Sequence, residues 1–365
     1  MTPSTACHAI APARVLRGAG NWADAVHMVA ALGLRPLLLG RSRATAALRQ
    51  RLADDLQALG CSTIPAALRW DCCPEDLAAL EQLARAEHAD LVVAAGGGKL
   101  LGHRLGVPVV TVPTSAATCA GWTALSNLYS PAGAFQGDVA LDRCPDLLVF
   151  DHELLVAAPP RTLASGIADA MAKWYEASVS GGASDDGLVQ QAVQQARVLR
   201  DQLLLDGITA AETPGSPAWV RVAEACGLTA GLIGGLGGAR CRTVAAHAVH
   251  NGLTQLPACH QSLHGEKVGF GVLVQLRLEE TLGGNGLAAQ ARRQLLPFLQ
   301  RLGLPVSLHD LGLERASLAD LQEVCAFACR PGSDLHHLPF AVAPDDLLAA
   351  LVTTTQGIAA PREAL

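Results

Sequence analysis

The stretch "AAHAVHNGLTQLPACHQSLHGEKVGFG", residues 245–271, carries four of the chain's 12 histidines within 18 residues, and three of them, His247, His250 and His264, are candidates for chemistry. His247 and His250 stand three apart, a spacing that puts both on one face of a helix. His264 follows 17 residues after His247 and opens a second helical pattern. Upstream, "ASGIADAMAKWYEA" (164–177) places Asp169 on an otherwise apolar helix. A carboxylate buried there is costly without a cation or hydrogen-bond donors. Asp169 with two imidazoles makes a three-ligand set that leaves a position open for substrate, the arrangement of a catalytic zinc. Spacing alone does not choose between Zn2+ and Fe2+. Any one of these histidines taken singly reads as an ordinary core or surface residue.

A second chemistry is suggested by "AAGGGKLLGHRLGVPVV" (94–110). Glycines after a strand let the backbone approach a pyrophosphate, and a following helix start offers free N–H groups. Gly96, Gly97, Gly98 and Lys99 fit that use, and they fit a plain turn equally well. The GxGxxG fingerprint is absent. Only eleven residues, Gly96 to Gly106, precede the next apolar run. A parallel crossover needs roughly a dozen, so at most a turn and a half of helix is expected here. In "LLLGRSRA" (37–44), Arg41 and Arg43 flank Ser42 at a strand end. Arginine in that place accommodates the 2′-phosphate of NADP, where an acidic residue would take the ribose hydroxyls of NAD. Two solvated arginines on a loop are the alternative.

These residues need a scaffold, and the patterns supply one. "LRPLLLG" (34–40), "ADLVVAAG" (89–96), "VPVVTVP" (107–113) and "DLLVFD" (146–151) read as buried strands. Helical patterns over about 44–59 and 74–87 lie between them. Continuous apolar strands separated by helices predict a parallel, Rossmann-like sheet covered on both faces. From Arg161 onward the patterns are almost all helical. We expect an α/β dinucleotide-binding domain over 1–158 and an all-α domain over 159–365, with the site in the cleft between them.

Composition narrows the class. Of 365 residues, 50% are hydrophobic and 16% charged, with a net charge of −6 and no basic block. That argues against a nucleic-acid binder. No run of 18 uncharged apolar residues predicts a membrane span, and the opening residues lack the pattern of a signal peptide. Eleven cysteines are scattered and never spaced as CxxC. A reduced, cytoplasmic protein whose cysteines pack as small hydrophobes is expected.

Taken together, "GGGK", "VPVVTVPTSAATCAGWTALSNLYSPAGAF", "GIADAMAKWYEA", "GGLGGARCRTVAAHAVHNGLT", "LHGEKVGFGVLVQL" and "LHHLP" resemble the iron-containing alcohol dehydrogenase superfamily. The nearest likeness is to its glycerol dehydrogenase-like branch. "ATCAGWTALS" and "MAKWYEA" are most similar to the hydroxycarboxylate dehydrogenases, which reduce 2-oxoacids. The resemblance implies the dehydroquinate synthase-like fold of the superfamily. It further implies a metal-dependent NAD(P)(H) oxidoreductase acting on a small-molecule substrate, and a homo-oligomer. It assigns Asp169, His247 and His264 as ligands of one divalent metal, Zn2+ or alternatively Fe2+. Gly97, Gly98 and Lys99 match the loop on the cofactor's pyrophosphate. Thr114, Thr123, Leu125 and Tyr129 match positions along the dinucleotide and its nicotinamide side. His250 matches a histidine at the reacting centre and a proton relay, with His247 beside it facing substrate. Arg41 falls where glycerol dehydrogenases carry an aspartate for the adenosine ribose, so NADP(H) is expected over NAD(H).

Two departures from the family pattern carry expectations of their own. Cys119 stands where glycerol dehydrogenases have an aspartate that contacts the glycol. A thiol cannot accept a diol's hydrogen bonds as a carboxylate does, and its neutrality suits an anionic 2-oxoacid. Glycerol and dihydroxyacetone remain the alternative substrates. About six residues of the helix after Lys99 have no counterpart, and the usual aspartate becomes Gly102 or is missing. Weaker cofactor binding than in a full-length relative is therefore expected. Two further readings are a dehydroquinate synthase-like cyclase and a homologue that has lost catalysis.

Overall fold

The computed structural model describes residues 7–70 and 72–356. Residues 1–6, part of the opening stretch assessed above for a targeting signal, lie outside it. Eight strands all precede the helical part: β1 (Val15–Gly18), β2 (Pro36–Leu39), β3 (Ile64–Pro65), β4 (Leu91–Ala95), β5 (Val109–Val112), β6 (Leu125–Tyr129), β7 (Phe135–Ala140) and β8 (Leu147–Asp151). Six of them form one parallel sheet in the order β1-β8-β5-β4-β2-β3. The strands β2, β4, β5 and β8 match the four apolar runs. β1, β3 and the antiparallel β6–β7 hairpin are additions. Their sequences, such as "FQGDVA", carry too few apolar residues to stand out as strands.

Helices α1 (Trp22–Ala30), α2 (Ala46–Ala58), α3 (Pro74–Ala86) and α4 (Lys99–Leu105) clothe the sheet. Alternate side chains of each strand point to opposite faces. Leu91, Val93 and Ala95 therefore pack with Val26, Val29, Leu52 and Leu56 on one side. Val92, with Leu37 and Leu39, meets Leu77, Leu80, Leu100 and Leu101 on the other. This is the double-sided burial that the unbroken apolar strands require.

The short crossover closes in its own way. α4 has seven residues, about two turns, slightly more than the turn and a half expected. It sits so close to the sheet that a Cβ on Gly102 would lie 2.4 Å from Val109 Cγ2 and 3.2 Å from Val92 Cβ. Gly102 is thus the residue that lets a helix this short lie flat across β4 and β5.

From Asp151 onward the chain is helical: α5 (His152–Val156), α6 (Pro160–Gly181), α7 (Gly187–Glu212), α8 (Pro217–Glu224), α9 (Ala230–Gly237), α10 (Ala245–Leu253), α11 (His264–Thr281), α12 (Gly286–Arg301), α13 (Leu318–Ala328) and α14 (Pro344–Val352). α6 runs through the middle of the largest core cluster, which also takes in Leu148 and Phe150 of the sheet. Pro217–Cys241 is the one helical stretch among the described residues long and apolar enough to cross a membrane, and 61% of its apolar window is buried within the fold. Eight of the eleven cysteines are buried and all are free thiols.

Adding one methyl group at the α4 crossover tests this packing. Alanine ordinarily favours a helix over glycine by about 0.5–1 kcal/mol. Gly102→Ala should instead destabilise the protein by about 1–3 kcal/mol through overpacking against Val109. The readout is a lower urea midpoint at unchanged m-value.

Candidate functional site

α6, α10 and α11 meet face to face, and each contributes one donor to a common point. Close approach of α11 to α6 is possible because Gly265 has no side chain: a Cβ there would lie 1.8 Å from the Ser165 carbonyl oxygen. His264 is thereby seated against α6 beside Asp169. The Asp169 Oδ1 atom lies 3.4 Å from His247 Nε2 and 3.4 Å from His264 Nε2. All three donor atoms fall within 4.8 Å of one another. Asp169 Oδ1 is buried and has no hydrogen-bond partner.

A buried carboxylate oxygen with no hydrogen bond calls for a positive partner, and the spacing admits a metal ion. Ligand bonds of about 2.1 Å at tetrahedral angles place neighbouring donors about 3.4 Å apart, the separation seen here between Asp169 Oδ1 and each imidazole nitrogen. One carboxylate and two imidazole nitrogens suit Zn2+ or Fe2+ and leave coordination positions free. The residues present therefore fit a divalent metal.

The surrounding groups prepare this donor set. His247 Nδ1 donates to Glu176 Oε2 at 2.6 Å, and the other Glu176 oxygen accepts from the backbone N–H groups of Val244 (2.7 Å) and His247 (3.0 Å). That assignment, inferred from the network, leaves Nε2 as the nitrogen that faces Asp169. Burial would lower the His247 pKa, but Glu176 and Asp169 outweigh it and raise it to about 9. Surroundings that favour a proton on this imidazole favour a metal cation for the same reason. Burial alone would raise Asp169, yet the two imidazoles and the nearby Lys173 ammonium hold it well below the usual carboxylate range.

Glu176 and Lys173 were not singled out from sequence. Their signal was present: Asp169, Lys173 and Glu176 stand at i, i+4 and i+7 on an apolar helix, so they share a face. All three are buried.

His250 does not join the donor set. It is 1% exposed, its ring centroid lies 4.2 Å from that of His264, and its Nδ1 pairs with Asn251 Oδ1 at 2.9 Å. Burial, then the neighbouring His264 and Lys267, push its pKa well below the ordinary imidazole value, so it is neutral.

The cofactor-side residues gather at the carboxyl ends of neighbouring strands, where open α/β sheets bind ligands. Arg41 follows β2, the glycines follow β4 and Thr114 follows β5. Arg41 is exposed. Gly96, Gly97 and Gly98 have φ of +86°, +125° and +108°, a run in the left-handed region that only glycines hold without strain. Gly96 packs under Thr114, whose Oγ1 would be 3.0 Å from a Cβ there. Two residues beyond Thr114, the Ala116 carbonyl oxygen rests on Gly166, where a Cβ would lie 1.9 Å away. The side of the glycine loop and the side of the Asp169 cluster are joined through this contact, since Gly166 is one turn before Asp169.

Lys99 does not turn toward the glycine loop. Its ammonium is buried and donates to the backbone oxygens of Ala120 and Thr123 (2.5 Å for the latter) and to Thr123 Oγ1 at 2.9 Å. The expectation that it faces a pyrophosphate is corrected accordingly: these internal acceptors already occupy it. Thr123 is held by the same contact. Cys119 is buried, and burial pushes its thiol pKa up, so it is a neutral thiol. Leu125 opens β6, and Tyr129 ends it with its ring edge-on to Phe135 at 6.0 Å between centroids. The hairpin is tied to the end of α10, where Thr254 Oγ1 accepts from the Phe135 N–H at 2.9 Å.

Comparison with known proteins agrees with this geometry. Residues 12–152 match the family Iron-containing alcohol dehydrogenase. An uncharacterized oxidoreductase of Synechocystis sp. is 53% identical over 353 residues, covering 95% of this chain and 91% of that protein. Hydroxycarboxylate dehydrogenase A of Escherichia coli is 37% identical over 297 residues, 77% of this chain and 79% of that one. The chain belongs to the iron-containing alcohol dehydrogenase family. Among solved structures, a probable glycerol dehydrogenase from Sinorhizobium meliloti 1021 superposes with a TM-score of 0.83 at 28% identity, over 94% of this chain and 96% of that one. This family member is thus an oxidoreductase related to both glycerol and hydroxycarboxylate dehydrogenases. Its parallel sheet followed by a helical part is the fold the resemblance implied.

Metal binding can be checked without turnover. Zn2+ at a hundredfold excess over its Kd should stabilise the protein by about 2.7 kcal/mol, and Asp169→Asn should abolish the rise in melting temperature. Glu176→Gln should weaken Zn2+ about 10- to 100-fold in a chelator competition, because the tautomer of His247 is no longer enforced. Unchanged affinity in that variant would refute its orienting role.

Proposed function

We propose that this protein is a metal-dependent NAD(P)(H) oxidoreductase that interconverts a small 2-oxoacid and the corresponding 2-hydroxyacid. The carrying observation is the unpartnered Asp169 oxygen set 3.4 Å from two imidazole nitrogens. Asp169, His247 and His264 would hold one divalent cation, Zn2+ or alternatively Fe2+. Such a cation supplies Lewis acidity toward a carbonyl, and the nicotinamide supplies or takes the hydride.

The chain's own residues orient and exclude. Glu176 holds the proton on His247 Nδ1, so that Nε2 is the nitrogen that would be offered to the cation. His250, neutral and pinned through Nδ1 to Asn251, keeps Nε2 available to take a proton during oxidation. Cys119 supports the 2-oxoacid reading: a neutral thiol adds no like charge against a carboxylate. Residues 1–158 would form the dinucleotide-binding domain and residues 159–365 the metal-binding domain. Gly97, Gly98, Thr114 and Arg41 would line the dinucleotide, with Arg41 on the 2′-phosphate of NADP.

Protein loaded with Zn2+ should oxidise NADPH with small 2-oxoacids. Arg41→Asp should lower kcat/KM for NADPH roughly 10- to 100-fold, the worth of one hydrogen bond to a charged group, while sparing NADH. Turnover of glycerol with NAD and of no 2-oxoacid would overturn the substrate assignment. Tryptophan fluorescence unchanged by either nicotinamide would overturn the enzymatic reading altogether.

A further inference from the structure

The segment between β5 and β6 carries Cys119 and Thr123 but has no regular secondary structure of its own, so its shape must be imposed from outside. Four of its carbonyl oxygens are taken by fixed donors. Thr111 Oγ1 donates to Gly121 at 2.8 Å, and the Leu141 N–H donates to Ala124 at 2.9 Å. The other two, Ala120 and Thr123, are both held by the Lys99 ammonium. An ammonium has three hydrogens, and Lys99 finds three acceptors, the third being Thr123 Oγ1 at 2.9 Å. None is left for a phosphate. Burial pulls the Lys99 pKa down to about 8, which still leaves it charged at neutrality, and its hydrogen bonds are of the strong, charge-assisted kind.

Its attachment is equally constrained. Lys99 is the first residue of α4, directly after the three left-handed glycines, and α4 is pressed onto β4 and β5 at Gly102. The Lys99 backbone is thus anchored to the same loop that would take the cofactor, while its ammonium grips the segment that would take the substrate.

We propose that Lys99 is a positioning residue: it holds residues 118–124 in the shape that receives the substrate, and it does not serve as a cofactor phosphate ligand. The substrate part of this inference rests on the oxidoreductase reading above; the structural part does not.

Lys99→Met keeps the length and removes the donors. Hydrogen exchange read by mass spectrometry should accelerate about tenfold or more for peptides within 118–125, with little change elsewhere. NADPH and NADH dissociation constants, from tryptophan fluorescence, should stay within about twofold, the spread expected when no contact is lost. KM for the 2-oxoacid should rise about tenfold or more, and kcat should fall less. Thr123→Val removes one acceptor of the three and should accelerate exchange at 118–125 in the same way but more weakly, which covers the case that Lys99→Met fails to fold. Cofactor affinity lost tenfold with exchange at 118–125 unchanged would overturn the proposal and make Lys99 a phosphate ligand. Exchange accelerated throughout the chain would also overturn it, as the mark of general destabilisation. Accelerated exchange confined to 118–125 in a protein that turns over no 2-oxoacid would uphold the positioning role and refute the substrate reading alone.

Discussion

A carboxylate oxygen buried in an apolar helix bundle without a partner is the constraint around which the helical half is arranged. Asp169 Oδ1 cannot be stable there unless something positive meets it. Two imidazole nitrogens at 3.4 Å leave room between them for an ion rather than completing good hydrogen bonds themselves. Bringing α6, α10 and α11 this close demands residues without side chains at the contact, which is why Gly265 lies beside His264. The same helix that carries Asp169 carries Glu176 two turns on, so one rigid element both supplies a donor of the cluster and orients the His247 ring. Lys173, between them on that face, tempers the negative charge.

The sheet half solves a different problem with similar means. A parallel crossover must carry the chain from the end of β4 back to the start of β5. Here it does so with seven helical residues, which works because Gly102 permits contact with Val109 and Val92. A short helix leaves few residues to reach a ligand. The one long polar side chain at its start, Lys99, is committed inward, where its ammonium gives shape to an otherwise irregular segment. The two halves then meet where the Ala116 carbonyl rests on Gly166 and where the Phe135 N–H donates to the Thr254 hydroxyl.

How much of this was readable beforehand follows from the range of each interaction. Strands buried on both faces announce themselves as unbroken apolar runs, so β2, β4, β5 and β8 were legible. Half-exposed β6 and β7, with "LSNLY" and "FQGDVA", lack that signal and were missed. The candidate donor set was legible because a lone Asp in an apolar helix and clustered histidines are unusual in type. Glu176 was passed over because one acidic residue near a helix end reads as solvated until Val244 and His247 are seen donating to it. Lys99 was misread because sequence gives a side chain's reach but no direction.

Residue type and order by themselves determined the alternating sheet, the helical remainder, and which side chains had the chemistry to bind a cation or a dinucleotide. Those properties depend on local periodicity and on the cost of burying charge, and both are carried by neighbours in the chain. Tertiary structure alone decided which histidines converge, which tautomer His247 holds and which way Lys99 turns. Each of these is settled by a contact between residues 21 to 95 positions apart, such as Lys99 with Ala120 or Asp169 with His264. No spacing rule along the chain encodes an angle between two helices packed across it.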